Sequence, residues 1–182
     1  MILASASPRR RRLLEEAGID FVVATAEVDE HMPAKGDPHE VARANAKLKA
    51  AAIERIEGDA VLGADTVVAV GDTILGKPVD AADARRMLGL LSGTTHRVVT
   101  GIALASEGRW FVSSVETGVT MRRLSDDDID TYLESGEAMG KAGAYAIQES
   151  ASRFVTSIDG PWDNVVGLPV AAVRVLMREA GL

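Results

Sequence analysis

Short apolar runs alternate with amphipathic stretches in the first half of the chain, and apolar runs crowd together in the second. Residues 2–4 read as a strand. Ser7 and Pro8 then suit the N-cap and first helical position, with Leu13, Leu14 and Ala17 at helical spacing and Gly18 as the stop. Residues 21–25 read as the next strand and residues 26–37 as a polar loop. Asp37-Pro38-His39-Glu40 has the makings of a reciprocal cap, opening a helix through Lys49 towards Ile56. Residues 61–70 and 73–75 flank Gly71-Asp72, a two-residue hairpin signal. A helix over residues 80–91 follows, then long β-rich runs over residues 96–105 and 110–124. Ser125 and three aspartates open a capped helix ending near Gly136, residues 136–143 are Gly-rich, and residues 168–180 form a last helix with Pro169 in its first turn. Alternation early and β clustering later predict an α/β fold, a mixed sheet with helices packed on it.

Composition narrows the class. The chain has 182 residues, enough for one domain with a substantial core, and we read residues 1–182 as that domain. Its 47% hydrophobic and 26% charged residues are those of an ordinary globular protein. No apolar run reaches the roughly 18 residues of a membrane span, and the lead before the arginines is too short for a signal peptide. With no cysteine, a disulfide framework and thiolate chemistry are excluded; a cytoplasmic location fits. A net charge of −7 argues against binding a nucleic acid polymer, which relies on clustered cations.

Against that acidic background, Arg9, Arg10, Arg11 and Arg12 crowd the start of a helix. A helix N-terminus already carries about half a positive charge, so it favours anions. Polyphosphate would relieve the conflict, because terminal amides and arginine forks both donate to phosphate oxygens. At about 100° per residue, Arg11 and Arg12 fall off the apolar stripe and read as solvated. Arg10 lies over the stripe with Arg9 beside it, and these two are the candidates for the anion.

A second wall comes from the hairpin. If Gly71-Asp72 is a two-residue turn, Val70 pairs with Thr73, and the continued register sets Thr66 opposite Lys77 with Asp65 one step on. An acid, a hydroxyl and an ammonium then converge; an ordinary strand-end ion pair is the competing reading. Glu30 in the polar loop could join Asp65 in holding a hard divalent ion through oxygen ligands. Such an ion would polarise phosphorus while a carboxylate takes a proton from water. Residues 136–142 imitate a phosphate-binding P-loop but have three residues between the glycines and no following Ser or Thr. His31, His39 and His96 lack metal-ligand spacing.

The assembled blocks resemble the Maf family of nucleotide pyrophosphatases along almost the whole chain. They are Ser5-Ala6-Ser7-Pro8-Arg9-Arg10, Val28-Asp29-Glu30, Ala46-Lys47-Leu48-Lys49-Ala50, Gly63-Ala64-Asp65-Thr66 and Gly76-Lys77-Pro78, then Leu91-Ser92-Gly93-Thr94-Thr95-His96 and Glu116-Thr117. Gly140-Lys141-Ala142-Gly143-Ala144-Tyr145-Ala146-Ile147-Gln148 and Asn164-Val165-Val166-Gly167-Leu168-Pro169 complete the series. The resemblance implies an elongated α/β fold with a central twisted mixed sheet and a groove between two lobes. It implies hydrolysis of a nucleoside triphosphate between its α and β phosphates, with Mg²⁺ or Mn²⁺, often by a homodimer. On this resemblance Asp65 is the proton acceptor, Lys77 and Glu30 support catalysis, and Glu30 and Asp65 hold the metal. Ser5, Ser7, Arg9, Arg10, Lys49, Thr66 and Gln148 bind substrate. Arg9, Thr66 and Gln148 match the branch acting on dTTP and UTP; 7-methyl-GTP or another purine nucleotide, and a non-hydrolysing regulator of septum formation, are the alternatives. One departure stands out: glycines usually follow the position of Gln148, whereas this chain continues Glu149-Ser150-Ala151-Ser152.

Overall fold

The computed structural model describes residues 1–54 and 58–182. Its elements are β1 (Ile2–Leu3), α1 (Pro8–Glu16), β2 (Val22–Val23), α2 (Pro38–Ala51), β3 (Val61–Val70), β4 (Thr73–Leu75) and α3 (Ala81–Leu91). Then come β5 (Thr95–Ser106), β6 (Arg109–Met121), α4 (Asp126–Glu134), β7 (Val155–Asp159), α5 (Trp162–Val166) and α6 (Val170–Glu179), with 3-10 turns at Ala142–Ala144 and Ser150–Phe154. The expected α/β class holds, as a mixed sheet in the order β2-β1-β3-β5-β6-β7 with β4 paired to β3. β1 runs parallel to β2 and β3, whereas β3, β5, β6 and β7 are successively antiparallel.

The two faces of β3 follow from strand alternation. Leu62, Ala64 and Val68 join a large core with Leu13 and Leu14 of α1, Leu88 of α3, Tyr132 of α4 and Val173 of α6. Val61 and Val67 face the other way, against Ala50 and Val41 of α2. Helix α2 seats at backbone contact: a Cβ on Gly63 would overlap the Ala46 carbonyl, and one on Gly101 the Ala42 carbonyl.

The sequence reading overshoots at several ends. The Asp37 carboxylate accepts from the His39 amide at 2.9 Å, a cap two residues on rather than an exchange with Glu40, and α2 stops at Ala51. The expected continuation towards Ile56 lies outside the described residues. Pro169 is the N-cap of α6 instead of a first-turn residue. Strand β7 went unpredicted because four of its five residues are exposed, so Val155-Thr156-Ser157-Ile158-Asp159 carries no buried stripe to betray it.

The hairpin register is right at its turn, with Val70 opposite Thr73 and Val68 opposite Leu75, but it does not run on to Lys77. β4 ends at Leu75, and the Gly143 amide takes the Gly76 carbonyl at 3.0 Å, drawing the chain off the strand. Thr66 instead faces Thr100 of β5. On its other edge β3 pairs with β1 only at Val61 and Leu62 and with β4 only from Val68 onward. The sheet therefore has a notch beside residues 63–67.

Gly101→Ala should lower the urea unfolding midpoint by an amount equivalent to about 2 kcal/mol or more, because helix and strand backbones would have to separate. A midpoint equal to that of the unsubstituted chain would overturn the close-packed seat.

Candidate active site

The notch opens into a groove of about 990 Å³. That volume is at the upper end of the roughly 300–1,000 Å³ of small-molecule sites. Strand alternation sends Asp65 towards α2 and Thr66 towards α1, and both line the groove, so it spans the sheet through the notch.

On the α2 side Asp65 is buried, at 4% exposure. Its Oδ1 accepts from Lys49 Nζ at 2.6 Å and its Oδ2 from Asn45 Nδ2 at 3.0 Å. Asn45 and Lys49 stand one helical turn apart on the stripe that α2 turns to the sheet. Asn45 also clasps the loop after β2: Nδ2 donates to the His31 carbonyl at 3.0 Å, and Oδ1 accepts from the His31 amide at 2.9 Å. That clasp sets Glu30 beside the lysines, where its Oε1 lies 3.0 Å from Lys49 Nζ and 3.2 Å from Lys77 Nζ. Burial pushes the Glu30 carboxyl up, but Lys49 and Lys77 more than offset this and hold it below its usual value. The Glu30 ion pairs thus stabilise the fold above the ordinary carboxylate range, and that contribution fades as pH falls through the lowered value.

The ammonium against Asp65 is therefore Lys49, not Lys77 as the hairpin register predicts. Lys77 Nζ bonds Glu30 instead, because the chain leaves β4 before Lys77. The carboxylates of Asp65 and Glu30 converge on one cationic nitrogen. Two hard oxygen donors within reach of one shared cation fit a divalent ion that completes its shell with phosphates and water. Among the described residues no group of three or more His, Cys, Asp or Glu forms a metal cluster, and Glu27 and Asp29 also line the groove beside the Asp65 and Glu30 pair. Glu116 lies elsewhere, against His39 at 3.1 Å and Arg97 at 3.6 Å. His96 is buried against the Tyr145 hydroxyl, and burial pulls its pKa down to about 4.

On the α1 side Arg10 is clamped by three acceptors: Gly167 O at 2.8 Å from Nε, Ser5 Oγ at 3.0 Å from Nη1 and Thr66 Oγ1 at 3.2 Å from Nη2. Burial lowers its pKa, with Asp65 opposing, yet an arginine stays charged. Hydroxyl directions follow from the terminal acceptor. Thr100 Oγ1 donates to Asn164 O at 2.9 Å, so Thr66 donates to Thr100, also at 2.9 Å, and is left to accept from Arg10. Asn164, fully buried, donates in turn to Val98 O and Thr117 Oγ1 at 2.9 and 3.0 Å. This ladder ties α5 to the sheet and aims the Gly167 carbonyl at Arg10. Gly167 has φ +122°, and a Cβ there would come within 3.4 Å of Thr66 Oγ1.

Ser7 is the N-cap of α1 but makes no side-chain cap bond; with Ser5 and Arg9 it lines the groove. Arg11 and Arg12 are exposed, and Arg12 pairs with Glu16 at 2.7 Å. Gln148 lies apart from the groove, in a smaller adjoining depression that shares Arg9. Two residues went unread in the sequence. Asn45 was detectable as a polar residue on a buried stripe. Lys141 falls within the false P-loop, yet it lines the groove and pairs with Glu149, so the unusual glutamate is neutralised by a groove lysine.

Asn45→Ala should cost about 1–3 kcal/mol of unfolding free energy by leaving buried partners at His31 and Asp65 unsatisfied; an unchanged stability in urea would contradict the clasp. Lys49→Met should shift the Glu30 carboxyl titration to higher pH, read by carbon NMR, since one of two opposing charges is lost. A Glu30 titration that stays where it is would remove Lys49 as its partner.

Residues 1–180 match the family model described as Maf-like protein. A dTTP/UTP pyrophosphatase of Symbiobacterium thermophilum is 47% identical over 182 residues, covering 100% of this chain and 94% of the relative. One of Koribacter versatilis is 47% identical over 183 residues, covering 100% and 95%. A third, from Bacillus cytotoxicus, is 47% identical over 179 residues, covering 98% and 92%. Matched over almost its whole length by both the family model and these relatives, the chain belongs to the Maf family.

Proposed function

We propose that this chain is a nucleoside triphosphate pyrophosphatase that hydrolyses dTTP, UTP and related modified pyrimidine nucleotides to the monophosphate and pyrophosphate. The observation that carries the reading is the meeting of a buried carboxylate, Asp65, with the cations Arg10, Lys49, Lys77 and Lys141 along one groove. The relatives' name, dTTP/UTP pyrophosphatase, points to the same reaction and bases.

Arg10 is oriented by Ser5, Thr66 and Gly167 before substrate arrives, so it meets phosphate with little reorganisation. The triphosphate competes with Asp65 for Lys49 Nζ, freeing Oδ1 while Asn45 keeps the carboxylate aimed from Oδ2. Asp65 then accepts a proton from the attacking water. One water is consumed: its oxygen bonds to phosphorus and the α–β anhydride bond breaks. Lys49, Lys77 and Arg10 balance the charge that builds on the phosphate oxygens. Glu30 and Asp65 would hold Mg²⁺ or Mn²⁺, which when bound supplies Lewis-acid polarisation of the phosphates. The proposal takes residues 1–182 as one catalytic domain working as a cytoplasmic homodimer; among the described residues no helix is long and apolar enough to cross a membrane.

A nucleotide panel with Mg²⁺ or Mn²⁺, scored separately for pyrophosphate and phosphate, tests the reading. Pyrophosphate from dTTP and UTP is expected; phosphate alone would defeat α–β cleavage, and preference for 7-methyl-GTP would defeat the pyrimidine assignment. Asp65→Asn should lower kcat by at least about 100-fold with the fold intact by circular dichroism, and undiminished turnover would remove Asp65 as the base.

A further inference from the structure

The smaller depression beside the groove encloses about 290 Å³ and is bordered by Arg9, Arg12, Leu13, Glu16, Gln148 and Trp162. Its chemistry differs from that of the groove. The groove gathers Arg10, Lys49, Lys77 and Lys141, whereas the depression offers an indole, an aliphatic side chain and a primary amide beside Arg9 and the Arg12–Glu16 pair, whose charges offset each other at 2.7 Å. Such a set suits a flat, uncharged heterocycle with hydrogen-bonding edges, with room for a ring and not for a whole nucleotide. Arg9 borders both spaces.

Trp162 is 45% exposed although it is the largest side chain in its stretch, and among the described residues no hydrogen bond, ring stack or cation contact engages its indole. It is nonetheless held firmly. The carbonyl of Pro161 accepts from Thr117 Oγ1 at 2.9 Å, and two residues after Trp162 the buried Asn164 is bonded to β5 and β6. A backbone held in place that presents an open indole is the arrangement a stacking platform needs, and a side chain with only two rotatable bonds has little freedom to lose on binding.

We infer that Trp162 is the stacking platform for the nucleobase, in the same depression as Gln148 and Arg9, which the family resemblance already assigns to the substrate. The amide of Gln148 can donate to a ring carbonyl and accept from the N3–H of a pyrimidine dione. The ladder that aims Gly167 at Arg10 also holds Trp162, so one buried asparagine sets both the phosphate clamp and the base seat. The inference rests on the pyrimidine nucleotide reading above and adds a residue that determines binding of the base.

The chain has two tryptophans, and Trp110 stands on β6 under Lys47, away from both spaces. Trp110→Phe thus leaves Trp162 as the single indole reporter. Its fluorescence should fall saturably on titration with α,β-imido-UTP, in which an N–H replaces the bridging oxygen, and should not fall with inorganic tripolyphosphate, which has no base. Trp162→Ala should weaken α,β-imido-UTP binding roughly ten- to hundred-fold, the range of base–aromatic stacking, while tripolyphosphate affinity stays constant and Trp162→Phe keeps most of the nucleotide affinity. Unaltered α,β-imido-UTP binding by Trp162→Ala, or equal quenching by nucleotide and tripolyphosphate, would overturn the platform. Neither readout needs turnover. A wild-type chain that shows the quench but releases no pyrophosphate from UTP therefore fails the catalytic reading and retains this one.

Discussion

Everything in the groove depends on how closely helix α2 lies on the sheet. Side chains normally hold a helix away from a strand, but here Gly63 and Gly101 let the Ala46 and Ala42 carbonyls rest on the strand backbone. At that separation Asn45 and Lys49 reach Asp65 directly, and Asn45 still has an amide hydrogen and its carbonyl oxygen for His31. A wider gap would leave Asp65 buried with neither donor, a costly state for a carboxylate. The small residues of the interface and the polar residues of the site are thus one physical device.

The second constraint is the notch in the sheet. β1 and β4 both pair with the same edge of β3 but leave residues 63–67 between them open. A continuous sheet would separate Asp65 from Thr66, since adjacent strand residues face opposite layers. At an open edge the two faces communicate, so one ligand can touch a carboxylate held by α2 and an arginine clamped on the α1 side. The hydroxyl ladder from Arg10 through Thr66, Thr100 and Asn164 then couples the notch to α5.

Much of this could be read from residue order. The split among the four arginines followed from helical geometry, and the structure places Arg11 and Arg12 in solvent and Arg10 in a clamp. The Gly71-Asp72 turn set its own register correctly. The pairing of Lys77 failed because a register argument assumes a strand that continues, and nothing local announces that the Gly76 carbonyl will be taken by an amide 67 residues away at Gly143. β7 was invisible because it is an exposed edge strand, specified by its partner β6 rather than by its own pattern.

By itself, the sequence determined the element types, the mixed sheet and the presence of an anion-seeking helix start, since these follow from periodicity and local charge within a turn or two of chain. Its extended blocks also identified the family. Only the tertiary structure decided which lysine holds Asp65, that Asn45 is the hub between acid and loop, that Glu149 is neutralised by Lys141, and that Trp162 and Gln148 share a seat beside the groove. Those partnerships join residues far apart in the chain. They are set by helix-to-sheet distance, by where a strand stops and by which buried polar groups must find one another, none of which is encoded in any local window.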